Sequence, residues 1–186
     1  MSLEEIKTLE QQILDLKKKV AELKRAQTPI PVADYEFDGP DGLVKLSDLF
    51  QGKPDLVLVC NMGRSCRHCT LWADGFNGVV PELESRAGFA LISADKIDDL
   101  RKFAAKRSWR FQIASDRDGQ FRKDMGFADA DGDPWPGVIG FRKNADGSID
   151  RIASAELGEG DDFCPTWHLF DLLAEGWNGW DPQYRL

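Results

Sequence analysis

The sequence has 186 residues, of which 42% are hydrophobic and 30% are charged, which is typical of a soluble globular protein with a single domain. Lys and Arg number 24 against 32 Asp and Glu, so the net charge is −8; nucleic-acid phosphates have no reason to bind, and we expect no nucleic-acid partner. We also expect a cytoplasmic protein with no membrane partner, because the apolar runs are far shorter than the roughly 20 residues that span a bilayer and the first residues do not resemble a secretion signal.

Residues 3–26 are predicted to form an amphipathic, coiled-coil-like helix, because apolar side chains recur at alternating spacings of three and four residues. These side chains are Ile6, Leu9, Ile13, Leu16, Val20 and Leu23. Ser2 and Glu5 form a capping box at its start. Such a helix either lies on its own domain or pairs with a second copy. We therefore divide the chain into a helical arm at 1–27, a proline linker at 28–32 and a domain at 33–186.

The charges beside the apolar seam favour an antiparallel pair of helices. In a parallel pair, Glu5 would face Glu10 of the second copy. Lys19 would likewise face Lys24, so both contacts would be repulsive. Reversing one helix brings Glu10 close to Lys17 of the second copy, twice by symmetry. We therefore expect a homodimer formed through residues 3–26.

Beyond the linker, short apolar runs alternate with helical segments. Strands are predicted at 56–60, 89–93, 111–114, 138–142 and 149–157, and helices at 66–86, 96–107, 119–125 and 165–174. The turn at 144–147 predicts a hairpin between the last two strands. The order β-α-β-α-β-α-β-β-α implies a parallel sheet with an antiparallel edge, covered on both faces.

The four cysteines suit reactive or metal-binding thiols better than a disulfide scaffold. They are Cys60, Cys66, Cys69 and Cys164. Cys66 follows a predicted strand and begins the next helix, where backbone N–H groups and the helix dipole stabilise a thiolate. Arg64, Arg67 and His68 add positive neighbours. Cys69 lies one helical turn further on, in the position of a resolving thiol that attacks a mixed disulfide at Cys66.

Two other interpretations of the cysteine pair remain open. The pair could be inert. Alternatively, a non-catalytic module could hold zinc through Cys66, Cys69, Cys164 and His168, as a C-x-x-C pair followed by C-x-x-x-H. Haem attachment is excluded, because Thr70 stands where that motif needs a histidine.

The stretch 66–78, Cys-Arg-His-Cys-Thr-Leu-Trp-Ala-Asp-Gly-Phe-Asn-Gly, resembles the signature of the bacterial thioredoxin-like family known as domain of unknown function 899. The similarity continues at 35–42, 47–50, 109–111 and 136–138. The resemblance implies a three-layer α/β/α sandwich with a mixed central sheet. It also implies a dithiol-disulfide oxidoreductase that acts on a protein or small-molecule thiol or disulfide and whose own disulfide is the redox group, without a further cofactor or metal.

The comparison with thioredoxins extends to two further positions. Thioredoxins carry a cis-proline next to the cysteine pair, just before the final hairpin, and Pro136 matches that place, so Trp135 could offer an apolar surface to a substrate. They also carry a buried aspartate six residues before the first cysteine, as proton acceptor for the second. Here that residue is Cys60, so His68, Asp74 or water would have to accept the proton.

Peroxiredoxins, which this superfamily also resembles, keep a threonine or serine three residues before their reactive cysteine. Gly63 occupies that place, so peroxide reduction is the alternative rather than the first expectation. Cys164 precedes Pro165 at the start of the last predicted helix, where its thiol benefits from a helix amino end. It is either a second resolving thiol or a partly buried residue without a role.

Overall fold

The computed structural model describes residues 2–183. Its helices are α1 (Leu3–Ala26), α2 (Arg67–Gly78), α3 (Val80–Arg86), α4 (Ile97–Arg107), α5 (Gln120–Met125) and α6 (Pro165–Phe170). Its strands are β1 (Ile30–Val32), β2 (Glu36–Gly39), β3 (Gly42–Lys45), β4 (Asp55–Asn61), β5 (Gly88–Ser93), β6 (Gln112–Ser115), β7 (Gly137–Lys143) and β8 (Ile149–Glu156). No helix within this part of the chain is both long and apolar enough to cross a membrane.

The strands form one mixed sheet in the order β1-β8-β7-β4-β5-β6-β2-β3. Among the described strands, the neighbouring pairs β4–β5 and β5–β6 are parallel and the other neighbouring pairs are antiparallel. The expectation of a parallel sheet with one antiparallel edge was therefore incomplete, since antiparallel strands flank the parallel centre on both sides. The α/β class and the α/β/α layering are confirmed, and the fold is thioredoxin-like.

Several elements differ from the sequence-based predictions. The predicted linker contains β1, which pairs with β8, and the hairpin of β2 and β3 was not predicted. The helix predicted at 66–86 is two helices, because the chain breaks at Val79 and restarts with Pro81 in the first turn of α3. The last helix ends at Phe170 rather than at 174.

Alternate residues of β4 enter the two apolar cores. Leu56, Leu58 and Cys60 pack on the face that also carries the core residues of α5. Val59 packs on the opposite face, where helices α2, α3, α4 and α6 contribute. Because side chains alternate along a strand, Cys60 and the helix that carries the cysteine pair lie on opposite faces of the sheet.

Helix α1 begins as predicted, with Ser2 accepting a hydrogen bond from the backbone N–H of Glu5 at 3.3 Å. It buries none of its residues, and its six seam side chains are 45–62% exposed. An ion pair of 2.5 Å between Lys17 Nζ and Asp162 Oδ1 ties it to the rest of the chain. Helix α1 therefore contacts the rest of the chain but does not bury its apolar seam against it.

Candidate active site

The loop that delivers Cys66 begins where β4 ends, at the carboxyl edge of the parallel strands. Asn61 is buried, and its Oδ1 accepts a hydrogen bond of 2.7 Å from the backbone N–H of Gly63. Gly63 has φ of +118°, and a Cβ there would lie 3.3 Å from the carboxylate of Asp95. Glycine therefore suits this turn on both counts, and the chain reaches Cys66 at the amino end of α2.

Cys66 caps α2, and its Sγ accepts a hydrogen bond of 3.1 Å from the backbone N–H of Cys69. The Cys69 thiol also donates a hydrogen bond to Cys66 Sγ. This bond and those from the backbone N–H groups of Cys69 and His68 lower the pKa of Cys66 to about 7, although burial acts to raise it. Donating to Cys66 and burial both raise the pKa of the Cys69 thiol. The pair thus consists of a partly exposed thiol that ionises readily and a buried one that holds its proton.

The positive side chains expected to stabilise the Cys66 thiolate are engaged with carboxylates. Arg67 Nη2 lies 2.6 Å from Asp181 Oδ2, and Arg64 Nη1 lies 3.0 Å from Asp99 Oδ2. The lowered pKa was expected, but its leading causes are hydrogen bonds rather than these charges. Nothing in the sequence signalled Asp181, because its contact with Arg67 joins distant parts of the chain.

His68 lies against the carboxyl-terminal segment, which we define as residues 157–183. Its ring centroid is 6.1 Å from that of Trp72 and 5.9 Å from that of Trp167. Its Nε2 lies 3.4 Å from Glu159 Oε1 and 3.8 Å from Asp181 Oδ1. His68 therefore connects the turn that carries the cysteine pair with this segment, a contact that the sequence did not predict.

Asp74 is an anchor between helices rather than a proton acceptor. Its Oδ1 accepts hydrogen bonds from Arg107 Nε at 3.0 Å and from Trp109 Nε1 at 2.8 Å, and its Oδ2 accepts from Arg107 Nη2. It lies five positions after Cys69, so the two side chains do not share a helix face. The expectation that Asp74 could take the proton of Cys69 is therefore wrong.

Asn77, like Asp74, connects α2 with the residues that follow α4. Its Nδ2 donates to the carbonyl of Ser108 at 2.9 Å, and its Oδ1 accepts from the backbone N–H of Arg110 at 2.8 Å. The stretch Trp-Ala-Asp-Gly-Phe-Asn-Gly thus docks α2 onto the Trp-Arg-Phe stretch at 109–111.

Cys60 is fully buried in the core on the other face of the sheet. Burial raises the pKa of its thiol, which the neighbouring Arg122 guanidinium lowers to a smaller extent. Cys60 is a core residue on the far side of the sheet from the cysteine pair.

Pro136 and Trp135 lie near the end of β4, because Gly137 of β7 pairs with Cys60. Trp135 is 49% exposed. Every peptide bond in the described residues is trans. The expected cis bond before Pro136 is therefore wrong, whereas its place beside the end of β4 agrees with the comparison to thioredoxins.

Cys164 is 3% exposed and belongs to the same apolar core as Cys69 and Trp167. His168 lies on the outside of the following helix, with Nε2 3.7 Å from Asp162 Oδ1. Among residues 2–183 no three His, Cys, Asp or Glu side chains are grouped to hold a metal ion. The zinc interpretation, which needed both cysteines of the pair together with Cys164 and His168, is therefore wrong.

Solved structures share this fold. Peroxidoxin BcpB from Mycobacterium tuberculosis is 27% identical, covers 68% of this chain and 85% of its own, and has a TM-score of 0.55. A cysteine-to-serine mutant of peroxiredoxin Q from Xanthomonas campestris is 19% identical, with coverage of 66% and 80% and a TM-score of 0.55. A hypothetical protein from Sinorhizobium meliloti 1021 is 14% identical, with coverage of 86% and 88% and a TM-score of 0.54.

No curated protein matches the sequence. The profile of a bacterial family described as "Bacterial protein of unknown function (DUF899)" matches residues 4–184. The resemblance found in the sequence is therefore confirmed, and the chain belongs to the DUF899 family.

Proposed function

We propose that the protein is a thiol-disulfide oxidoreductase in which Cys66 is the nucleophile and Cys69 the resolving thiol. One observation carries the proposal. One shared hydrogen bond lowers the pKa of Cys66 to about 7, against the effect of burial, and raises the pKa of Cys69, where burial acts in the same direction. A nucleophile with a pKa near ambient pH and a protonated partner within one helical turn are what thiol-disulfide exchange requires.

The reaction has two exchange steps. The Cys66 thiolate attacks one sulfur of the substrate disulfide, forms a mixed disulfide and releases the other half as a thiolate. Cys69 then gives up its proton to water or to a released thiolate and attacks Cys66 Sγ. This step releases the second substrate thiolate and leaves a Cys66–Cys69 disulfide, so the substrate gains two electrons and the protein loses two. Two external thiols restore the reduced pair: the first attacks the Cys66–Cys69 disulfide and forms a mixed disulfide at Cys66, and the second attacks the sulfur of the first, which releases Cys66 and leaves the external thiols as a disulfide.

A redox titration of the pair, with insulin reduction as an activity assay, tests this function. We expect Cys66→Ser to abolish reduction of insulin and Cys69→Ser to trap a mixed disulfide. Cys60→Ala is the matched control, because it removes a thiol on the other face of the sheet. The hydrogen bonds that stabilise the thiolate favour the reduced form, so the potential should lie above about −270 mV, the thioredoxin value. A variant lacking Cys66 that keeps full activity would overturn the proposal.

A second candidate function is peroxide reduction by the same cysteine. The observation that favours it is the 27% identity with a protein named a peroxidoxin. Against it, Gly63 supplies no hydroxyl three residues before Cys66, and φ of +118° disfavours any side chain there. Reduced protein mixed with hydrogen peroxide and with a disulfide in parallel distinguishes the two. Faster oxidation by peroxide would make peroxide reduction the better assignment.

Cys164 takes part in this chemistry only if its buried thiol reaches Cys66. It shares an apolar core with the pair, and its backbone N–H donates to Asp161 Oδ1 at 3.0 Å, which holds the start of α6 in place. Mild oxidation of a Cys69→Ser variant, followed by peptide mapping, tests this role. If no Cys66–Cys164 disulfide forms, Cys164 is not a second resolving thiol.

We also propose that α1 pairs with α1 of a second copy in antiparallel orientation. The exposed seam runs the length of a 24-residue helix, about 36 Å at the usual rise. Two acidic residues lie in its first turn, Glu4 and Glu5, and two basic residues in its last, Lys24 and Arg25. Antiparallel pairing places unlike charges together at both ends.

Light scattering on the full chain and on a chain that starts at Pro31 tests the dimer. We expect a dimer that dissociates when residues 1–30 are removed. Leu9→Lys with Leu16→Lys should dissociate it as well, because both seam side chains are exposed and the helix keeps its own hydrogen bonds. Lys7→Gln, which changes a side chain outside the seam, is the control. A monomeric full chain would refute the pairing.

A further inference from the structure

A cavity of 260 Å³ opens in the carboxyl-terminal segment. Its lining consists of Glu159, Gly160, Trp167, Asp171 and Trp177. Trp167 is buried and forms one wall, whereas Trp177 is 40% exposed and stands near solvent. The cavity thus combines two indole rings with two carboxylates.

The surroundings of the cavity are strongly acidic. The carboxyl-terminal segment contains six carboxylates and no Lys or Arg, namely Glu159, Asp161, Asp162, Asp171, Glu175 and Asp181. Asp162 and Asp181 are paired with Lys17 and Arg67 from other parts of the chain. Among residues 2–183, the basic residues in ion-pair contact with the carboxylates of the cavity lining are both histidines, with Glu159 beside His68 and Asp171 beside His168.

This combination of groups recognises positive charge. A cation over the face of a tryptophan is attracted by the quadrupole of the ring, and carboxylates add Coulomb attraction. The Glu159 and Asp171 side chains are 52% and 68% exposed, so a ligand reaches them from solvent without any rearrangement. An anionic ligand would be repelled, and a wholly apolar ligand would leave two carboxylates without a partner.

The cavity lies beside the cysteine pair. His68 contacts two of its lining residues, with ring centroids 5.9 Å apart at Trp167 and Nε2 3.4 Å from Glu159 Oε1. His68 is two residues from Cys66 in the first turn of α2. His68 therefore lies between the turn that carries Cys66 and the lining of the cavity.

We propose that this cavity binds the ammonium or guanidinium group of the substrate whose disulfide reacts at Cys66, a proposal that rests on the oxidoreductase function above. The positive group belongs either to a small amine-bearing disulfide or to a basic side chain near a disulfide of a protein. Both would place a positively charged nitrogen group in the cavity.

Binding without redox chemistry is the first test. Hexylamine and hexanol are titrated into the Cys66→Ser, Cys69→Ser double variant, with tryptophan fluorescence as the readout. We expect saturable binding of hexylamine and at least fivefold weaker binding of hexanol. Adding Glu159→Gln and Asp171→Asn should remove the difference, and Glu175→Gln, which changes an exposed carboxylate of the same segment outside the cavity, should keep it. Equal binding of both compounds would overturn the proposal.

Reaction rates are the second test and also distinguish the two sources of the charge. Reduced protein is mixed with bis(aminoethyl), bis(aminohexyl) and bis(hydroxyhexyl) disulfides, and with disulfide peptides flanked by Lys or by Ser. We expect the aminohexyl compound to react at least fivefold faster than its hydroxyl counterpart, and the advantage to vanish in Glu159→Gln with Asp171→Asn.

The outcomes separate the cavity from the redox function. An advantage of Lys-flanked peptides alone identifies a protein as the source of the charge, and an advantage of the small amine alone identifies a small amine-bearing disulfide. An advantage that survives the double substitution overturns the assignment to this cavity. If no disulfide reacts at all, the oxidoreductase function fails, while the fluorescence titration still decides whether the cavity binds a cation.

Discussion

Removing the Cys69 thiol should make Cys66 less reactive at neutral pH. The pKa of Cys66 is about 7 rather than 9.0, and hydrogen bonding with the Cys69 side chain is the leading cause. In Cys69→Ala the backbone N–H donor at 3.1 Å remains, so we expect a rise of about one pKa unit instead of a full return. At pH 7 the thiolate fraction then falls from about one half to about one tenth, and alkylation slows about fivefold. The corresponding free energy is roughly 1 kcal/mol, allowing for the partial exposure of Cys66.

The measurement is the rate of iodoacetamide alkylation against pH, in a chain that also carries Cys60→Ala and Cys164→Ala so that only the pair reacts. Cys69→Ser is the matched variant, because its hydroxyl still donates to Cys66 and should keep part of the lowered pKa. A thiol reacts as its thiolate, so each rate should rise with pH through the pKa of Cys66 and then level off. A midpoint for Cys69→Ala at or below that of the parent chain would refute the assignment of the shift to this hydrogen bond.

Two substitutions test the packing described above. Gly137→Ala should lower the free energy of unfolding in denaturant by about 1–3 kcal/mol, because its Cβ would overlap a ring carbon of Phe127. Gly140→Ala in the same strand is the control, since its nearest contact is 3.9 Å, and an equal loss there would contradict the reasoning. Asp74→Asn should cost about 1–2 kcal/mol in thermal unfolding by weakening the anchor of α2. Asp98→Asn, in an ion pair whose carboxylate is 77% exposed, should cost close to nothing.

The strands that were predicted well are those marked by an apolar run in the local sequence. The apolar run at 56–60 lies within β4, Asp55–Asn61, and the run at 89–93 within β5, Gly88–Ser93. The strands that were missed have three or four residues, too few for an alternation to be read. The partner of β1 is also distant in sequence, since β1 pairs with β8, whereas β2 and β3 pair with each other as a hairpin. The break at Val79 shows that Pro81 can begin a new helix inside what the spacing predicts to be one.

The positions of the two cysteines in the candidate site could be predicted, because they depend only on the order of strand, loop and helix. That order places Cys66 at the amino end of α2 and Cys69 one turn further on. The environment of the pair was not predictable, because its partners come from far along the chain. Arg67 has an obvious positive charge in the sequence, yet Asp181 pairs with it, and nothing local indicates that ion pair. The positions of Glu159 and Trp167 beside His68 likewise depend on how the chain returns after β8.

Strand β1 has a consequence for how copies of this protein can meet. It covers one side of β8, and it then forms the rim of the sheet itself. It has only three residues, and Pro31, in the middle, has no N–H to donate. A strand of another copy would therefore find few backbone N–H and C=O groups with which to pair at this rim. Extension of the sheet through this rim from one copy to the next is disfavoured. At this rim, contact between copies must instead use side chains. The proposed antiparallel pair of α1 helices uses the same face of both copies, so its two-fold symmetry closes the pair and leaves no second α1 seam from which a fibre could extend.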